Sequence, residues 1–405
     1  MSNTPSSLSQ TAPVTPAHAP LTQGLVWLFA FCCGAIVANL YYSQPIIALI
    51  APSVGLSADA ASLIVSLTQI GYALGLLLLV PLGDLIENRK LMIGTAVVSS
   101  ISLLAAALTS QPQWFLAISL LVGISSVAVQ MLIPMAAHMA PEQSRGRIVG
   151  NIMSGLLLGI LLARPVSSLI ADHFGWRTVY FTATALMLLI IVVMATTLPR
   201  HEPSHRSSYG QLLGSLGVLL RSQPILRQRS LYQGLMFATF SLFWTAVPLE
   251  LAQSHGLSQS AIAVFALIGA VGAASAPIAG RLADAGHTGK ATTVALVLAV
   301  LAMAVGLLPL GVSVVALAIT GVLLDFAVQM NMVLGQRAIY ALDPKSRARL
   351  NAIYMTSIFV GGALGSVFAA TLYHSGGWHT VAMAGTAVPA LALLAFCWHG
   401  RQARS

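Results

Sequence analysis

Two charged side chains stand where this 405-residue sequence can least accommodate them. The stretch ILLARPVSSLIADHFGWR, Ile160 to Arg177, begins as an apolar helix and then sets Arg164 ahead of Pro165. Asp325 lies in GVLLDFAVQMNMVLGQR, about 12 residues into a second apolar run, and Gln329 follows it at i+4 on the same helical face. A guanidinium can hold an anion through parallel N–H donors, and a carboxylate in apolar surroundings can take up and release a proton. Substrate binding and protonation could therefore compete at one site.

Amides and aromatics recur at helical spacing in other runs. Asn39, Tyr42 and Ser43 make one polar patch, Gln69 and Tyr72 another, and Gln130 a further candidate. Gln233, Phe237, Phe240 and Trp244 form a stripe at i, i+4, i+7 and i+11. Aromatic stripes pack more often than they bind, and it is Gln233 within this one that supports a pocket. A mixture of aromatics, amides, one Arg and one Asp suits a small amphipathic organic molecule. Glu250, following VPL at the outer end of span 7, is a second candidate acid that reads equally as a solvated rim residue, and His138 reads as interfacial. The 10 histidines show no ligand spacing, so no structural metal is expected. Cys32, Cys33 and Cys397 lie inside apolar segments and read as packing residues rather than a disulfide framework. No nucleotide loop, metal cluster or nucleophile motif occurs, which argues against an enzyme.

The elements that must position these groups follow from composition. Hydrophobic residues make up 57% of the chain and charged ones 7%, too little polar surface to cover a soluble protein of this size. Apolar runs of roughly 20 residues recur throughout, without the ~10-residue alternation of a membrane β-barrel. Hydropathy gives twelve helical spans: 23–50, 60–82, 91–110, 114–138, 148–171, 178–198, 230–252, 260–280, 290–310, 313–340, 350–373 and 379–399. Arg164 lies eight residues, about 12 Å of helix, short of Asp172 at the end of span 5. Its Cα–Cβ bond leans toward the helix N-terminus, away from the nearer interface. A lipid-facing Arg costs about 2.5 to 3.5 kcal/mol, so it is expected to face the bundle interior or a watery cavity.

Of the 19 Lys and Arg residues, all but Arg164 and Arg177 fall in the loops after even-numbered spans, at the adjoining helix ends or in the C-terminal tail. The positive-inside rule then puts both termini in the cytoplasm. That placement explains the net charge of +9 without a nucleic-acid partner. Residues 1–22 read as a disordered cytoplasmic tail without the basic start of a signal peptide. Residues 23–198 and 230–399 read as two six-helix bundles, 199–229 as a cytoplasmic linker and 400–405 as a short tail. The linker contains the amphipathic stretch YGQLLGSLGVLLRS, suited to the membrane surface or to a plain connecting helix.

The two halves repeat. GLS at Gly55 recurs at Gly256, AVQM at Ala128 recurs at Ala327, SRGR at Ser144 matches SRAR at Ser346, and GWRTV at Gly175 matches GWHTV at Gly377. Two parallel copies define a pseudo-two-fold axis along the membrane normal, with a pathway between them that opens to either side by rocking. The repeat partners of Asp325 and Gln329 are Ser126 and Gln130, and that of Arg164 is Ser366, so the charges are not part of the shared scaffold.

With these motifs the sequence resembles the major facilitator superfamily, and within it bacterial drug or metabolite efflux permeases of the proton antiporter type. Between spans 2 and 3, VPLGDLIENRKLM is similar to the family's Gly-x-Leu-Ala-Asp-Arg-x-Gly-Arg-Arg motif: Asp84, Arg89 and Lys90 take the acidic and basic positions, and Val80 replaces the first Gly. The second copy, GRLADAGHTGK, keeps Gly280 and Asp284. The resemblance implies a latch at these residues that closes the cytoplasmic side. It also implies that spans 1, 4, 7 and 10 surround the central cavity. Span 5 of proton-coupled relatives carries Gly-x-x-x-Gly-Pro-x-x-Gly-Gly; here Pro165 remains and Arg164 replaces the Gly before it, while Gly155 and Gly159 still offer a small-residue face. The expectation is a twelve-span, all-α transporter of the bacterial inner membrane, working as a monomer in the lipid bilayer. It would export a small organic compound using the proton gradient and no bound cofactor. Import or facilitated diffusion on the same fold is the alternative.

Overall fold

Backbone groups in hydrocarbon have no water to pair with, so each crossing must satisfy its own N–H and C=O groups as helix. The computed structural model describes residues 22–140, 144–198, 208–343 and 346–402, and among these it contains α-helices and short 3-10 turns with no strand. The side chains of Asp84, His138, Arg145 and Asp284 lie outside the described set, as do residues 1–21, 199–207 and 403–405 of the expected tails and linker.

The first half runs through α1 (Gln23–Ala38), α2 (Ile47–Ser53), α3 (Leu63–Leu78), α4 (Asn88–Leu108), α5 (Pro112–Ser125), α6 (Ala128–Met139), α7 (Arg145–Phe174) and α8 (Trp176–Thr197). The surface helix α9 (Tyr209–Ser222) follows. The second half runs through α10 (Pro224–Gln253), α11 (Gln259–Ala266), α12 (Ser275–Asp284), α13 (Thr288–Ala304), α14 (Val314–Tyr340), α15 (Arg347–Val367) and α16 (Ala369–Gln402). Ten helical segments among the described residues are long and apolar enough to cross a membrane, with shorter apolar helices at Gln23–Ala38, Gln44–Ser53 and Gln259–Gly269. This is the twelve-span arrangement once broken helices are joined.

The breaks are where the reading of uninterrupted spans is corrected. Span 1 unwinds after Ala38 and resumes through a 3-10 turn, Gln44–Ile46, into α2. Pro45 lacks an N–H and its ring clashes with the carbonyl four residues back, so a continuous helix through Tyr41 is unavailable. Span 4 breaks between α5 and α6, where Ser125 and Ser126 hydroxyls bond back to Leu121 and Val122 carbonyls. Span 8 passes through a 3-10 segment, Leu267–Ala274, between α11 and α12. Spans 11 and 12 are joined in α16, which turns sharply at Gly376 and Gly377.

The internal repeat recurs in the backbone. Gly55 and Gly256 both have positive φ, 75° and 64°, and so do Gly175 and Gly377, at 83° and 63°. Ser144 and Ser346 each occupy the position before a long helix, α7 and α15. Close packing repeats as well. A Cβ on Gly159 would lie 2.2 Å from the Gly34 carbonyl oxygen, and one on Gly361 would lie 2.0 Å from that of Gly234. Thus α1 on α7 and α10 on α15 are the same glycine-mediated contact made twice.

The halves meet at the end remote from the linker. Ser66 and Ser366 hydroxyls are 2.8 Å apart, Ser62 donates to the Val367 carbonyl at 3.1 Å, and Ser260 donates to the Asp172 carboxylate. At the other end α9 lies across the bundle. Its N-terminus is closed by a capping box between Ser208 and Gln211, and Tyr209 donates to the Leu78 carbonyl at 2.8 Å.

Candidate functional site

A cavity of about 890 Å³ lies between the halves and opens at the end that carries the linker. Its mouth is set by Gly83, Asn88, Met139, Tyr340 and Arg347, and its walls by side chains that repeat once per turn. On α7 the lining descends Val149, Met153, Leu156 and Ile160; on α14 it descends Tyr340, Gln336, Met332 and Gln329. On α10 it runs from Phe237 to Phe240, and on span 1 from Val37 to Tyr41.

One further turn on each element reaches a closed ring of polar and aromatic groups. Ile160 is followed at i+4 by Arg164, Gln329 is preceded at i−4 by Asp325, and Phe240 is followed at i+4 by Trp244. From span 1 come Tyr41 and Gln44. Arg164 is buried, with its Nε donating to Gln44 Oε1 at 2.9 Å. Its guanidinium carbon lies 4.5 Å from the Trp244 ring centroid and 5.2 Å from those of Tyr41 and Phe240. Trp244 Nε1 donates to Asp325 Oδ1 at 2.8 Å. Arg164 and Asp325 therefore interact electrostatically without a direct ion pair, since the indole stands between them and touches both. Aromatic faces attract the cation most strongly when it is desolvated, which compensates part of its burial.

The broken helices make this ring possible. Unwinding between Ala38 and Gln44 lets consecutive residues Tyr41 and Tyr42 point differently and frees the Gln44 side chain for the guanidinium. Opposite, the 3-10 segment of span 8 crosses Asp325 so closely that a Cβ on Gly269 would lie 2.6 Å from Oδ2 and one on Gly272 2.6 Å from the Asp325 Cβ. Only glycine permits that approach.

Of the sequence candidates, Tyr72, Gln130, Phe237 and Gln329 line the cavity, with Gln130 donating to the Tyr72 hydroxyl at 3.1 Å. Arg164, Asp325 and Trp244 lie one turn beyond the lining, with Arg164 against the lining residues Tyr41 and Phe240. The others lie elsewhere. Asn39 turns toward Ser99 and Met187, both at 3.5 Å, and Tyr42 is buried away from the cavity lining, because helical spacing does not survive the unwound turn. Gln69 donates to Ser241 at 2.7 Å and so joins the halves rather than lining the space between them. Gln233 accepts from Asn331 at 2.6 Å and donates to the Val328 carbonyl, which makes it an α10–α14 packing group. Glu250 is buried, 3.7 Å from His255, and is not a solvated rim residue. Cys32 and Cys33 are buried, whereas Cys397 is exposed on α16.

Near the mouth, Arg89 donates to the Ala195 carbonyl at the end of α8 and Lys90 pairs with Glu87 at 3.2 Å. Both contacts stay within the first half. Gly280 lies beside Arg337, whose Nη2 would be 3.4 Å from an added Cβ. Tyr41, Gln44 and Phe359 were not among the sequence candidates for the site, whereas Phe240 was part of the α10 stripe and lies 5.2 Å from the guanidinium carbon. Proline next to a glutamine inside an apolar run was the available signal for the break that positions Gln44. Among the described residues no three His, Cys, Asp or Glu side chains cluster as metal ligands.

The family profile described as Major Facilitator Superfamily matches residues 26–324 and 233–404. The chain is 40% identical over 388 residues to "Uncharacterized transporter YgaY" of Escherichia coli O157:H7, covering 96% of this chain and 98% of that protein. It is 30% identical over 389 residues to a Streptomyces coelicolor protein named "Probable transporter SCO4007", covering 92% and 90%. In fold it is similar to the nucleoside transporter NupG, with a TM-score of 0.73 at 15% identity over 92% of this chain and 99% of that one.

Proposed function

The chain belongs to the Major Facilitator Superfamily and is a membrane transporter, and from that premise we propose that it moves a small organic compound by alternating access, coupled to protons. The observation that carries the proposal is the ring one turn beyond the cavity lining, where Trp244 touches both Asp325 and Arg164. A buried carboxylate that can be neutral or charged gives a proton a place to ride, and a guanidinium one turn from the lining gives a substrate a fixed charge to meet. The energy source is then the proton gradient.

Export is the direction implied by the similarity of the loop after span 2, and of Pro165 with Gly155 and Gly159, to proton-coupled efflux permeases. Uptake or facilitated diffusion is the second reading, favoured by Arg164 standing where those permeases carry glycine. The basic loops support both termini in the cytoplasm of a bacterial inner membrane, so the open cavity faces inward. Asp84, Arg89, Lys90, Gly280 and Asp284 are proposed as the gate of that face, residues 23–198 and 230–399 as the rocking units, and the monomer as the working form.

Counterflow in proteoliposomes tests the transport step. A radiolabelled substrate, chosen by comparing metabolites and toxic compounds in cells with and without the protein, should exchange across vesicles containing the wild-type chain. Exchange should fall sharply for Asp325→Ala. Counterflow at wild-type rate and pH response in that variant would remove Asp325 from coupling. A reporter fused after Arg404 should be active only in a cytoplasmic form, and one near His255 only in a periplasmic form; the reverse pattern would invert the sidedness.

A further inference from the structure

The ring contains more hydrogen-bond donors than it uses. Arg164 Nη2 and Gln44 Nε2 are both buried without a partner, on two side chains already joined by the bond from Arg164 Nε to Gln44 Oε1. That bond fixes the amide orientation, so the orphan atom of Gln44 is the donor end. Ser168, at i+4 from Arg164 on the same face of α7, has a buried hydroxyl without a partner as well. A buried N–H left unpaired costs on the order of a lost hydrogen bond, and native structures keep such groups where something else completes them. Two N–H donors and a hydroxyl, one donor on a fixed positive charge, match the lone pairs of a carboxylate.

We propose that the ring is a carboxylate-binding subsite, so that the substrate is a small organic anion, and that it moves together with a proton held on Asp325. This rests on the transporter reading and fixes its coupling sign in favour of uptake, the second direction given above, because a proton moving down an inward gradient would carry the anion in with it. The ionisable groups facing Asp325 among the described residues are Arg164 from α7 and, behind it, Tyr41 from the turn in span 1, while the span 8 segment approaches with Gly269 and Gly272. With Asp325 ionised and Arg164 protonated, the empty ring is neutral. An entering carboxylate adds one negative charge to a region that cannot solvate it, and a proton taken from the open side onto Asp325 Oδ2 restores neutrality. Oδ1 keeps its bond from Trp244 throughout. After rocking, the carboxylate and the proton leave to the other side, and the Asp325 carboxylate again balances Arg164. Anion and proton thus bind cooperatively and travel in one direction, whereas a cationic substrate would compete with the proton and be exchanged for it.

The test uses the purified full chain, with benzoate and phenylacetate as anionic probes, benzylammonium as the cation and benzyl alcohol as the neutral form. Binding is read by the shift in thermal unfolding and by quenching of tryptophan fluorescence. Expected are binding of the carboxylates alone, about 100-fold weaker binding for Arg164→Ala, and about tenfold weaker binding for Gln44→Leu. The double variant Arg164→Ala with Asp325→Asn, which leaves no unbalanced charge, should fold and still fail to bind them. Wild-type affinity should tighten as pH falls within the range where benzoate stays ionised, and Asp325→Asn should lose that dependence. Carboxylate binding that ignores Arg164, weakens on acidification, is matched by benzylammonium or benzyl alcohol, or is absent for both carboxylates would overturn the subsite. Counterflow separates the two levels. Carboxylates that bind without exchanging would refute transport and spare the subsite, while exchange of benzylammonium unaffected by Arg164→Ala would refute the subsite and spare transport.

Discussion

Trp244 decides how the two buried charges share one site. Its ring lies against the guanidinium and its Nε1–H donates to the carboxylate, so it holds them apart while coupling them. Trp244→Phe keeps an aromatic face and deletes one donor to a charged acceptor, a bond worth about 1.5 to 3 kcal/mol. That variant should unfold at lower temperature and lose pH-coupled transport by about tenfold, and the loss should shrink in an Asp325→Asn background, where the acceptor is no longer charged. Equal losses in both backgrounds would mean that the indole acts through packing alone. Arg164→Ala should cost about 3 to 5 kcal/mol because Asp325 is left uncompensated, and Arg164→Ala with Asp325→Asn should recover much of it, as measured by unfolding in detergent. Arg164 and Asp325 were legible in the sequence because a charge in an apolar run is conspicuous. The indole between them was not, since an aromatic stripe reads the same whether it packs or binds. Asn39 and Tyr42 were misplaced for a different reason: spacing along a helix says nothing where the helix has come undone.

Helix ends inside the membrane are what bring the ring together. Span 1 unwinds before Pro45 and offers Tyr41 and Gln44 to α7, and span 8 tightens to 3-10 geometry and lays Gly269 and Gly272 on Asp325. Both elements are readable as apolar runs of the right length. Their breaks depend on what packs against them, and hydropathy averages over exactly the few residues involved. Adding a methyl at Gly269 forces a contact of 2.6 Å with the carboxylate oxygen. Gly269→Ala should therefore cost about 1 to 3 kcal/mol by overpacking and displace the carboxylate from Trp244. Gly94→Ala in α4, where an added Cβ meets nothing within 4 Å, should be neutral or stabilising by up to about 1 kcal/mol. Thermal unfolding of the two variants compares them directly, and equal midpoints would mean that the span 8 segment has room to move away from Asp325.

At the scale of the whole molecule, the repeat read from GLS, SRGR and GWRTV recurs as paired positive-φ glycines, paired helix starts and paired glycine contacts. The symmetry was legible; the conformation was not, because under the proposed alternating access one sequence must be compatible with both open states. In this one the cavity opens toward the linker while serine hydroxyls, Ser66 to Ser366 and Ser62 to the Val367 carbonyl, join the halves at the opposite end. Each such contact is weak, which suits the seal that the proposed alternating access would open in every cycle. The Ser66 and Ser366 hydroxyls, 2.8 Å apart on α3 and α15, allow that to be tested. With Cys397 replaced by Ser, the pair Ser66→Cys and Ser366→Cys should form a disulfide under oxidation, since the facing side chains are within its reach. The bond would hold the remote end shut. Transport should stop and return with reductant, while a further cysteine at Asn351, in the cavity lining, should keep reacting with a polar thiol reagent from the linker side. If the oxidised protein transports at the reduced rate, the α3–α15 contact does not open during the cycle and access to the far side must be made through the other seal, where Ser260 meets Asp172.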